Sequence, residues 1–85
     1  MPTILRSGPY RFFFWAYDCQ ERRHVHIEHD DAIAKLWLEP EVALEDGGGM
    51  SRKQLRDIEK IVLENQEELI REWDNFCSQH SSQHN

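Results

Sequence analysis

Apolar and polar residues alternate along the first half of the chain and recur at helical spacing along the second. Thr3 to Arg6, followed by Ser7-Gly8-Pro9, reads as a short strand entering a turn, because Gly and Pro supply the backbone angles of a reversal. From Tyr10 to Tyr17 the alternation places Tyr10, Phe12, Phe14 and Ala16 on one face and Arg11, Phe13, Trp15 and Tyr17 on the other. Aromatic residues on both faces mark a central strand. Asp18 to Arg23 has no apolar period and reads as a loop. The next strand is His24 to His29, with His24, His26 and Glu28 facing one way and Val25, Ile27 and His29 the other. Asp30-Asp31 is a tight turn into a further strand, Ala32 to Leu38.

Beyond Glu39 the period changes. Pro40 is suited to the first turn of a short helix running through Asp46, and Gly47-Gly48-Gly49 stops it. Ser51 with Gln54 forms a capping box, opening a helix from Arg52 to about Cys77 whose stripe is Leu55, Ile58, Val62, Leu69, Trp73 and Phe76. The pattern predicts an α+β fold: an antiparallel meander of three or four strands, a short helix, and one long C-terminal helix packed on one face of the sheet. Val25 and Ile27 then lie beneath the helix, and His24 and His26 are displayed on the other face. Residues 1–77 form the predicted domain and 78–85 a polar tail.

Composition narrows the class. A chain of 85 residues has room for one core, and its three Trp, two Tyr and four Phe are enough to fill it despite 31% charged residues. A formal charge of −6 opposes nucleic-acid binding through the overall field. Arg6, Arg11, Arg22 and Arg23 nevertheless balance the acids of residues 1–30, so an anionic ligand would meet the N-terminal half. Cys19 and Cys77 are too few and too unpatterned for a disulfide framework or a zinc site, and suit a reducing cytosol. The opening residues lack a signal-peptide pattern, and no apolar run is long enough to span a bilayer, so a cytoplasmic location without membrane contact is expected.

His24 and His26, two apart on a strand, share a face roughly 7 Å from each other. Imidazoles so placed can act as general acid and base, can hold a metal with Glu28 or a residue of a neighbouring strand, or can be strand residues with ordinary hydrogen bonds. The sequence assigns no metal and no cofactor. Arg11, Arg22 and Arg23 can grip a phosphate beside the imidazoles, or simply solubilise the loop. Trp15, Tyr17 and Trp37, with Phe13, would leave a large apolar patch on the second face if uncovered, the mark of a partner surface. A homodimer or a complex with another small protein is expected, and RNA is a further possible ligand of aromatics beside arginines.

Met-Pro-Thr-Ile at the start, Tyr-Arg-Phe-Phe-Phe from Tyr10, His-Val-His from His24, Ala34-Lys35-Leu36-Trp37-Leu38, and the helix from Gln54 through Asn65-Gln66-Glu67-Glu68-Leu69 to Trp73 together resemble a bacterial family, domain of unknown function 4160. The resemblance covers residues 1 to about 76. It implies the toxin-like component of a type II toxin–antitoxin pair, neutralised by a cognate antitoxin, and it implies no established substrate. Glu21-Arg22-Arg23 stands where that family usually has a proline-rich lead to the histidines. The function expected is therefore a toxin-like protein acting on RNA, with His24 and His26 as catalytic residues. The alternative is a non-enzymatic interaction module, an antidote or adaptor.

Overall fold

The alternation from Tyr10 resolves into a short strand and then a sharp turn. The computed structural model describes residues 3–81. Strand β1, Thr3–Ser7, passes through Gly8 at φ +58° into β2, Tyr10–Phe13. A 3-10 turn follows at Ala16–Gln20, then β3 (His24–His29), β4 (Ala32–Trp37) and β5 (Ala43–Asp46), and finally α1 (Arg52–Glu64) and α2 (Gln66–Ser81). All neighbouring strands are antiparallel, in the order β1-β2-β3-β4-β5. The fold is α+β as the pattern predicts, with a fifth strand.

Three elements depart from the expectation. The strand from Tyr10 ends at Phe13 because Asp18 reaches back to accept the Trp15 N–H at 2.9 Å, which closes the chain into the 3-10 turn. The predicted short helix from Pro40 to Asp46 is instead a bend with a cis Glu39-Pro40 bond, followed by β5. A one- or two-turn helix is marginal alone, whereas the open edge of β4 offers ladder partners, and Leu44 pairs with Leu36 and Ala43 with Trp37. The single long helix is broken at Asn65, which caps α1 at φ −121° and ψ 20°, its backbone N–H and its side-chain amide both donating to the Ile61 carbonyl, at 3.1 and 2.8 Å. Beyond it α2 runs to Ser81, past the predicted end at Cys77. The rest of the predicted tail, residues 82–85, lies outside the described residues.

The core sits between one sheet face and the two helices. Phe12, Phe14, Val25, Ile27, Ala34, Leu36 and Leu38 from the sheet side meet Ile58 and Val62 of α1 and Leu69, Trp73 and Phe76 of α2. Val25 and Ile27 lie beneath the helices as expected. The Gln66 amide donates to the Leu38 carbonyl at 2.7 Å, fixing the start of α2 to the end of β4. At the far end of α2, Cys77 is joined by a disulfide to Cys19 of the 3-10 turn, with Cα atoms 5.6 Å apart. That bond corrects the expectation that these cysteines are too few and too unpatterned for a disulfide. They are 58 residues apart in sequence, and only the return of α2 past the turn brings them together.

Both outer ladders slip in register, between Thr3 and Leu5 in β1 and between Lys35 and Leu36 where β4 meets β5. Among the described residues, no helix is long and apolar enough to cross a membrane.

A candidate Asp–His–His centre on the second sheet face

Register places the site. In β3, His24 pairs with Trp37 and His26 with Lys35 of β4, while on the other side His26 pairs with Phe13 and Glu28 with Arg11 of β2. One sheet face therefore carries Arg11, Phe13, His24, His26, Glu28, Lys35 and Trp37. This is the face opposite the helices, as expected.

The histidines are not displayed, however. His24 is fully buried, His26 is 7% exposed, and both meet a third buried residue, Asp18, which is 2% exposed. The 3-10 turn folds over this end of the sheet and lowers the Asp18 carboxylate onto the two imidazoles. Its Oδ2 lies 3.0 Å from His26 Nε2 and 3.4 Å from His24 Nε2. Aromatic rings close the surroundings: Trp15 is 4.2 Å and Phe13 5.6 Å from His26 between ring centroids, and Trp73 is 5.1 Å and Trp37 5.6 Å from His24. The disulfide at Cys19, next to Asp18, ties the turn to α2.

The electrostatics follow from this enclosure. Burial pushes the His26 imidazole below its ordinary pKa, and the Asp18 carboxylate pulls it back only in part. His24 Nδ1 is 2.7 Å from the Arg22 carbonyl. A carbonyl only accepts, so Nδ1 carries a proton there and Nε2 is turned towards Asp18.

The arginines separate into different roles. Arg11 donates to Glu28 at 2.8 Å and lies 4.5 Å from the Phe13 ring centroid. Arg23 points away, bonded to Glu39 at 2.9 Å and to Asp74 of α2 at 2.6 Å, so it braces the loop against the helix. Arg22 is exposed and stacks 4.0 Å from the Trp37 ring, forming no ion pair among the described residues. Lys35 flanks the same ring at 4.8 Å and bonds to Glu21 at 3.0 Å. That hydrogen bond and charge hold Glu21 below the usual carboxylate range.

The aromatic patch is partly realised. Phe13 is buried, Trp15 and Trp37 are half-buried, and Tyr17 is 65% exposed, stacked on Trp15 with ring planes 13° apart. The sequence points to Glu28 or a residue of a neighbouring strand as the third member of a site with the histidines; Glu28 instead pairs with Arg11, and the third residue comes from the 3-10 turn, not from a strand. Asp18 takes that place, and the one local signal for it was an acid three positions after Trp15, at the spacing of a side chain that returns to a backbone N–H.

The family model described as "Domain of unknown function (DUF4160)" matches residues 10–74, a span that takes in Asp18, both histidines and the aromatic face. No curated protein and no solved structure matches the chain.

Proposed function

We propose that this chain, which belongs to the DUF4160 family, works by binding another protein through the aromatic face of its sheet, as the toxin-like component of a type II toxin–antitoxin pair. The observation that carries this reading is the run of Tyr17, Trp15, Arg22 and Trp37. A 65% exposed tyrosine stacks on one tryptophan, and an exposed arginine stacks on another. Tyr, Trp and Arg are the residue types that dominate binding energy at interfaces, and these four side chains lie outside the core packed by the helices. The antitoxin is the occupant that fits the family resemblance.

RNA is the substrate class on this reading. Stacked aromatics and an exposed guanidinium without an ion pair among the described residues suit unpaired bases and phosphate, with His26 the less buried of the two site imidazoles. The second reading, a non-enzymatic antidote or adaptor, is favoured by the burial of His24 and Asp18, which keeps both from a phosphate unless the turn moves.

Expression of the chain alone, and together with the product of the adjacent gene, tests these readings. The expected result is slowed growth that co-expression relieves, and a complex on size exclusion that a Tyr17→Ser/Trp37→Ala double variant weakens at least tenfold. A complex without any effect on growth supports the adaptor reading. Neither complex nor growth effect overturns both. Growth inhibition that survives His24→Ala/His26→Ala in a folded variant removes the imidazoles from the chemistry.

A further inference from the structure

Among the described residues, His24 Nε2 is the buried side-chain polar atom without a hydrogen-bond partner. With Nδ1 donating to the Arg22 carbonyl, the Nε2 of a neutral imidazole is a bare lone pair. It faces Asp18 Oδ2, itself electron-rich, at 3.4 Å in a shell of aromatic rings. His26 Nε2 approaches the same oxygen at 3.0 Å. An unpartnered lone pair turned towards a carboxylate oxygen in a dry site is stabilised by a positive charge between them, a proton or a metal ion.

We propose that Asp18, His24 and His26 bind a first-row divalent transition-metal ion, for which zinc(II) is the probe. One donor atom from each residue lies within 4.8 Å of the other two. Donors of a tetrahedral ion with bonds of about 2.0–2.1 Å are separated by roughly 3.4 Å, so the His24–Asp18 spacing already has the span of a ligand edge. Two imidazoles and one carboxylate are donors of intermediate softness, which suit zinc, nickel, cobalt or iron(II) and not calcium or magnesium, whose shells are oxygen.

The site is also braced as metal sites are. The Arg22 carbonyl fixes the His24 tautomer that presents Nε2, and the Trp15 N–H holds the Asp18 carboxylate at 2.9 Å. Entry of the ion displaces the proton that His26 Nε2 shares with Asp18, so binding releases protons. Three protein donors leave a fourth position for water or for a donor from a partner. His26, the least buried of the three, is the side on which that position meets solvent.

The proposal stands apart from the partner-binding reading, since none of its readouts uses growth or a complex. The full oxidised chain, stripped with chelator and kept free of thiol reductant, is titrated with zinc chloride and followed by 15N imidazole NMR. One equivalent is expected to move the Nε2 signals of His24 and His26 and leave His29 unchanged, with a rise of several degrees in Tm. Cobalt(II) is expected to give visible absorption bands in the same stoichiometry. Asp18→Asn and His26→Ala should each weaken zinc binding at least tenfold, while a His80→Gln/His84→Gln variant should bind as the parent does. Unmoved His24 and His26 signals at tenfold excess zinc overturn the proposal in the unmutated chain, whatever the variants do. Loss of binding in the tail variant, or retention of it in folded Asp18→Asn, overturns it equally.

Discussion

At the scale of single residues, Gly48 and Gly8 share a left-handed backbone at φ +58° and differ in what surrounds them. A Cβ on Gly8 meets nothing within 4 Å, whereas one on Gly48 would stand 1.7 Å from the Ile33 carbonyl oxygen in β4. Gly8→Ala is therefore expected to cost about 1 kcal/mol, the backbone penalty alone. Gly48→Ala adds a backbone collision and should cost on the order of 3 kcal/mol or more. Paired urea titrations check the order, and equal midpoints for the two variants would contradict it. The sequence pattern assigns Gly47 to Gly49 to stopping a helix; a close approach between chain segments leaves no local trace. For Asp18 the local spacing to Trp15 signals the turn, but its approach to the histidines is a contact between segments of the same kind. The shared face of His24 and His26 follows from the period of a strand, but the carboxylate that meets them arrives from a turn whose position depends on the far end of α2.

At the scale of elements, what the sequence predicts best is what neighbouring residues decide. Ser51 and Gln54 form the expected reciprocal cap: the Gln54 N–H donates to Ser51 Oγ at 3.1 Å and the Ser51 N–H to Gln54 Oε1 at 2.9 Å. Ser51→Ala is expected to lower stability by about 1 kcal/mol, measured by thermal or urea unfolding, and to leave the His24 and His26 signals in place because α1 lies on the opposite face from them; His29, 3.4 Å from the Gln54 amide of the cap, is the histidine that should move. A variant as stable as the parent would mean that α1 needs no cap once it is packed. The helix from Pro40 and the unbroken helix from Arg52 fail for a different reason. Residues 43–46 take ladder bonds to β4, and at the helix junction Asn65 caps α1 with its side chain while Gln66 ties the start of α2 to the Leu38 carbonyl. Such pairing is settled by the fold, and a window of residues does not contain it.

At the scale of the whole molecule, the Cys19–Cys77 bond closes a long loop, with 58 residues separating its ends. On the chain-entropy account, closing a loop of that length stabilises the fold by about 4 kcal/mol, a large share of what a small domain possesses. Reduction, or a Cys19→Ala/Cys77→Ala variant, is expected to lower Tm by more than 10 °C while far-UV circular dichroism stays near the parent's at low temperature. A shift of only a degree or two would show that α2 holds the turn by packing alone. The slipped registers of the two outer ladders act on the molecule's relations with others. An edge strand is a template on which any extended chain can crystallise into a longer sheet, and a regular edge invites it. Here both borders are irregular, and β5 also carries Glu45 and Asp46. The molecule is thus terminated like a tile with chipped rims: irregular borders, one of them acidic, disfavour sideways pairing into fibres or strand-swapped chains.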